Sequence, residues 1–122
     1  VKLVLIADTP WVRSDVKASM IDPESALVEV EDPRKALDTL ILERADAALI
    51  DMQVGSMGGM ALTRQFKDAF ATGKLSPIPL VVLLDRSADA FLAKRAGADA
   101  SLLKPFTAQE FRATLQKVIQ DR

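Results

Sequence analysis

Three short apolar runs in this chain each end in an aspartate: Lys2-Leu-Val-Leu-Ile-Ala-Asp8, Asp46-Ala-Ala-Leu-Ile-Asp51 and Leu80-Val-Val-Leu-Leu-Asp85. Periodicity alone cannot separate such runs from pieces of buried helix. Their flanks decide for strand. Each is short, and Gly55, Gly58 and Gly59 follow the middle one closely. A continuous apolar run is covered on both faces, which is the habit of a parallel sheet with helices on either side. A carboxylate at the carboxyl end of such a strand stands where open α/β sheets place their ligands. The competing reading is structural, with each acid capping a strand end or the helix that follows.

The segments between these runs read as helices or further strands. Asp8-Thr9-Pro10 begins the first helix with an Asp or Thr cap and Pro in the first turn. Val12, Val16 and Met20 then recur every four residues as an inward stripe to about Ile21. Asp22 to Ser25 is a turn, and Ala26 to Glu31 is a second strand whose polar residues suit a sheet edge or an exposed face. Asp32-Pro33 starts the second helix, with Ala36, Leu37, Leu40 and Ile41 as its apolar face. Met60 to Phe70 is the third helix, with Leu62, Phe66, Ala69 and Phe70 inward and Gly73 as its stop. Ser87 to Ala96 is a weaker helix ended by Gly97, with Phe91 and Leu92 its larger apolar groups. Asp99 to Leu103 is a fifth strand, broken by Lys104-Pro105. Thr107 and Glu110 form a capping box for the last helix, whose core face is Phe111, Leu115, Val118 and Ile119 and which reaches the chain end. Strand and helix alternate five times, which implies parallel strands, right-handed crossovers and helices on both faces.

Composition removes several kinds of function. The chain has 122 residues, 49% of them apolar, which suits one domain over residues 1–122, of a kind that can be excised from a longer protein. Sixteen basic and 17 acidic residues are well mixed, so no broad field draws nucleic acid or an anionic membrane. There is no cysteine and no histidine. Disulfides, thiolate and imidazole metal sites and histidine-based triads are therefore excluded. The absence of cysteine fits the cytoplasm. No apolar run approaches a membrane span and no signal peptide opens the chain.

The remaining chemistry lies at the strand ends. Asp8, Asp51, Asp85 and Lys104 all fall on one edge of a parallel sheet. Carboxylates with waters suit a hard octahedral cation such as Mg²⁺, and a lysine supplies a compact charge for a phosphoryl oxygen. A carboxylate beside Mg²⁺ is also a nucleophile toward phosphorus. The turn after the first strand has no glycine, so it is neither a dinucleotide fingerprint nor a P-loop. Nor does it offer the Ser/Thr/Gly phosphate loop of a flavodoxin-type FMN site.

Two stretches carry a resemblance. Leu49-Ile-Asp-Met-Gln-Val-Gly-Ser-Met-Gly-Gly-Met60 and Ala96-Gly-Ala-Asp-Ala-Ser-Leu-Leu-Lys-Pro-Phe106 resemble the receiver domain of two-component response regulators, chemotaxis regulators included, and the likeness runs over nearly the whole chain. It implies a flavodoxin-like, doubly wound α/β fold with a five-stranded parallel sheet in the order 2-1-3-4-5. It also implies a non-enzymatic signalling role in the cytoplasm, with no catalysis beyond self-phosphorylation and self-dephosphorylation. Carried over by position, Asp51 resembles the phosphoacceptor. Asp8 and the backbone carbonyl of Gln53 join Asp51 as Mg²⁺ ligands. Lys104 contacts the phosphoryl group, and the Lys104–Pro105 bond is expected to be cis. The implied partners are a histidine kinase or phosphotransfer protein and a downstream protein or attached effector domain. Direct nucleic-acid or membrane binding by this domain is not expected.

The chain also departs from the family pattern. Ala7 stands where a second acid is usual, and Gly55-Ser56 replaces the usual Pro-Gly. Leu84 replaces the Ser or Thr whose hydroxyl swings to the phosphoryl group, and Ser101 replaces the aromatic partner of that switch. A hydrogen bond to a charged group, worth about 1.5–3 kcal/mol, goes with the hydroxyl. Asp85 takes a position that is usually small. Pointing inward, it repels a phosphoryl group about 5 Å away by about 3 kcal/mol at an effective dielectric near 20. Its other courses are to face water, to cap the helix at Ser87, or to join the metal site. The alternative function is therefore a pseudo-receiver, a protein-interaction module that works without phosphorylation. Trp11 is expected as a partly exposed aromatic at the rim of the site, where its fluorescence would report metal binding near Asp8. Met52, Met57 and Met60 are expected to pack in the core and site loop. The face from helix four to strand five, with Ala90, Phe91 and Ala93, is expected to leave apolar surface for a protein contact.

Overall fold

The computed structural model describes residues 1–20 and 22–120. Five strands form a parallel sheet in the order β2-β1-β3-β4-β5. They are β1 (Lys2–Ile6), β2 (Ala26–Val30), β3 (Ala47–Asp51), β4 (Leu80–Leu84) and β5 (Ala100–Leu103). The helices are α1 (Pro10–Ser19), α2 (Ala36–Glu43), α3 (Gly59–Ala71), α4 (Ala90–Ala96) and α5 (Ala108–Gln120). Short 3₁₀ turns at Pro33–Lys35 and Ser87–Asp89 lead into α2 and α4. Ile21, taken from sequence as the end of the α1 stripe, and residues 121–122 lie outside the described residues.

Every residue of β3 and β4 is buried, as expected of runs covered on both faces. One core layer sets Val4, Ile6, Ala48 and Ile50 against Leu40 of α2 and Leu62 and Phe66 of α3. The opposite layer sets Leu3, Leu5, Leu49 and Leu83 against Val12 and Val16 of α1 and Phe111 and Leu115 of α5. Strand β2, with two of its five residues exposed, lies at the sheet edge as its polar residues imply. Gly97 closes α4 at φ 108°, a left-handed conformation that favours glycine. The Thr107–Glu110 capping box is formed in both directions, each bond 3.0 Å long.

Some local expectations are corrected. Thr9 occupies the cap position of α1 but its side chain makes no capping bond, and the Asp8 carboxylate is drawn to another loop. Ile41 is 44% exposed. It follows the buried Leu40 by one position, a rotation of about 100° that carries it off the core stripe. Helix α4 is shorter than the span read from sequence because its first turn is 3₁₀. Ala93 faces the core and is 1% exposed, so it adds nothing to the outer surface, whereas Phe91 is 65% exposed with Arg95 over its ring. Asp32 does cap its turn, accepting from the Arg34 N–H at 3.0 Å, and the Arg34 guanidinium holds its carboxyl below the usual carboxylate value.

The aspartates that open strands do structural work. Asp46 accepts from the backbone N–H of Lys2 at 2.7 Å, and Asp99 from that of Leu80 at 2.8 Å. Each satisfies the first N–H of a neighbouring strand at the amino edge of the sheet. These two acids cap strand starts at one edge, and the acids that close strands gather at the other.

Candidate functional site

Parallel strands deliver their last residues to one edge, and that edge collects every site residue read from the sequence. Asp51 is the final residue of β3 and is 1% exposed. Its Oδ1 accepts a hydrogen bond from the Lys104 ammonium, which arrives from the end of β5 across β4. The backbone helps to set this meeting, since the Lys104 N–H donates to the Leu84 carbonyl at 2.8 Å. The Lys104–Pro105 peptide is cis, as the resemblance implies.

The loop after Asp51 is held by its own backbone. Met52 N–H donates to Leu83, Gly58 N–H to Val54 and Gly59 N–H to Met52, at 2.9–3.1 Å. Gly59 lets α3 begin directly against the strand end, because a Cβ there would stand 2.5 Å from the Asp51 carbonyl oxygen. Gly55, at φ 56°, lies against the Pro33 ring and turns its N–H toward Asp8 Oδ2, 2.8 Å away. Asp8 is exposed and lies in the loop between β1 and α1. Gln53 is exposed on the turn between Asp51 and Gly55.

Asp85 follows β4 and points inward, one of the courses its sequence position left open. Its Oδ1 lies 3.1 Å from Lys104 Nζ, so a buried lysine is shared by two carboxylates. Asp85 Oδ2 is shielded from solvent and meets no hydrogen-bond donor. Trp11 is 54% exposed at the rim, with its ring centroid 5.5 Å from Lys104 Nζ. The indole therefore reaches the lysine, a contact that sequence spacing could not have shown.

The two changed switch positions are also explicit. Leu84 is 2% exposed and packs in a small core with Val82 and Ala93, which Met52 and Met60 help to close. Met57 is 46% exposed, so one of the three loop methionines lies outside the packing expected of it. Ser101 is half-buried on β5 and borders an open hollow of about 700 Å³ with Pro77, Ile78 and Thr114. Ala7 is fully buried and offers no oxygen where a second acid would stand.

Comparison with known proteins agrees with this geometry. The response regulator receiver domain family matches residues 3–116. The chain belongs to that family. The receiver is 27% identical over 120 residues to the response regulator MprA of Mycolicibacterium vanbaalenii, covering 98% of this chain and 51% of the relative. It therefore spans about half the length of the curated relatives it matches. The BeF₃-activated receiver domain of Klebsiella pneumoniae RstA superposes with a TM-score of 0.83 at 24% identity, covering 98% of this chain and 99% of that one. The receiver domain of the Pseudomonas aeruginosa sensor histidine kinase PA1611, with a magnesium ion coordinated in its active-site cleft, superposes with a TM-score of 0.81 at 22% identity and covers 98% and 97%. These likenesses show the five-stranded flavodoxin-like fold expected from sequence. Receiver domains are signalling modules of two-component systems. No described helix of this receiver is long and apolar enough to cross a membrane.

Among the described residues no three acids converge as a metal cluster. The oxygen set expected from sequence for Mg²⁺ is smaller: the Asp8 and Asp51 carboxylates and the Gln53 backbone carbonyl. Asp8 Oδ1 and Asp51 Oδ2 take no hydrogen bond from the described residues. Mg²⁺ commonly keeps several waters and uses one or two carboxylates, so this donor set fits it.

Proposed function

We propose that the receiver accepts a phosphoryl group on Asp51 from a histidine kinase or phosphotransfer protein and passes its state on by protein contact, to a downstream protein or an attached effector domain. The observation that carries this reading is the Lys104 ammonium bonded to a carboxylate fixed at the end of a fully buried strand. That pairing sets a nucleophilic oxygen beside a positive charge suited to a phosphoryl oxygen. An Asp51 oxygen attacks phosphorus and an O–P bond forms. The P–N bond of the partner's phosphohistidine breaks, and the imidazole leaves with the electron pair and is neutral after retaining one ring proton. The product is an acyl phosphate. Asp8, Asp51 and the Gln53 carbonyl would hold Mg²⁺, which when bound supplies positive charge for the transferring group. Asp51 is the nucleophile and Lys104 the cation that contacts the phosphoryl oxygen, and a histidine kinase as donor is consistent with cytoplasmic residence.

The test is intact mass after incubation with acetyl phosphate and Mg²⁺, with Asp51→Asn alongside. A single phosphoryl adduct is expected, absent from the variant and absent without metal. No adduct, under conditions that label an ordinary receiver, would overturn the reading. A second function then stands, favoured by Leu84: with an alkyl group buried where a hydroxyl donor is usual, the domain would work as a phosphorylation-independent interaction module.

A further inference from the structure

Asp85 is the charged group at the site to which phosphoryl acceptance assigns no task. We propose that it is a positioning residue that restrains acceptance: its carboxylate holds the Lys104 ammonium in the unmodified protein and competes for it with an incoming phosphoryl group. This rests on Asp51 being the acceptor.

Lysine carries one compact charge, and here that charge is divided between Asp51 Oδ1 and Asp85 Oδ1, with the Trp11 ring over it. The division is built into the backbone, because the Lys104 N–H bonds the Leu84 carbonyl and sets the ends of β4 and β5 side by side. Among the described residues Asp85 forms no ion pair other than the one with Lys104. Arg86 is engaged with Asp89, its Nε 3.3 Å from Oδ2. Asp85 Oδ2 is shielded from water and meets no donor, so the neighbouring ammonium is the main charge set against this partly buried carboxylate. A phosphoryl group that draws Lys104 away leaves that charge uncompensated and adds like charge beside it. Both effects raise the free energy of the labelled state and of the transition state leading to it.

The experiment compares wild type with Asp85→Asn, Asp85→Ala and Asp85→Glu. The rate of Asp51 labelling by acetyl phosphate with Mg²⁺ is followed by intact mass. The Lys104 Nζ signal is recorded by nitrogen NMR in metal-free protein. Asp85→Asn and Asp85→Ala are each expected to label at least about tenfold faster than wild type, and Asp85→Glu to stay near it. The Nζ signal is expected to move in Asp85→Asn, a readout that does not depend on phosphoryl transfer. Labelling in Asp85→Asn no faster than in wild type overturns the proposal and leaves acceptance by Asp51 intact. So does faster labelling in Asp85→Ala alone, which would mark side-chain volume rather than charge, or an unmoved Nζ signal. If no variant labels at all, acceptance by Asp51 and this restraint fall together.

Discussion

The carboxyl edge of the sheet has two halves that follow different rules. On the half proposed as the acceptor, the Lys104 ammonium bonds Asp51, and Asp8 accepts from the Gly55 N–H of the loop after β3. On the readout half, the end of β4 and the middle of β5 carry Leu84, Asp85 and Ser101, so the usual hydroxyl and aromatic are both missing. The contrast teaches that capture and signalling are separable demands. Capture needs a nucleophile and positive charge at fixed places. Signalling needs two states whose energies differ once the group is attached. Under the proposed function this chain would meet the first demand with Asp51, Asp8 and Lys104, and the second by the electrostatic pull of Asp85 on Lys104.

The lysine links the halves, and removing it is the strongest way to break the contrast. Lys104→Met leaves two carboxylates without their shared cation, and unfolding free energy is expected to fall by about 3–5 kcal/mol in urea denaturation. Asp51→Asn should cost much less, because Lys104 keeps Asp85. An equal loss in both variants would mean that Asp85 contributes no pairing. Leu84→Thr sharpens the contrast from the other side. It trades a buried alkyl group for a hydroxyl and is expected to cost about 3 kcal/mol. In labelled protein it should make hydrogen exchange over residues 85–96 depend on the phosphoryl group more than in wild type. Gly59→Ala presses on the acceptor half alone. A methyl 2.5 Å from the Asp51 carbonyl should cost about 1–3 kcal/mol and slow labelling, with exchange over residues 85–96 unchanged.

Much of the architecture was legible because the apolar runs at β1, β3 and β4 are continuous and the glycines and prolines that bound the elements are well spaced. The meeting of Asp51 and Lys104 on one edge was legible too, since they sit in stretches whose order fixes their place there. Side-chain direction was not. Ile41 and Ala93 were misplaced because α2 and α4 have only eight and seven residues, too few for a stripe to declare its face. Asp46, Asp85 and Asp99 look alike in sequence, each an acid beside an apolar run. Their partners are Lys2 N–H, Lys104 Nζ and Leu80 N–H, from 19 to 44 positions away along the chain, and only the register of the sheet brings them together.

Asp51 closes β3, the middle strand of the sheet, with both layers of core packed on it. Amide hydrogens of such a strand exchange only when the whole molecule opens. The proposed acceptor is thus mounted on a strand that opens last, while Asp8 and Asp85 lie on the loops that follow β1 and β4. Evolution can retune the reaction's timing by editing those surrounding loops, with the nucleophile's own seat left untouched.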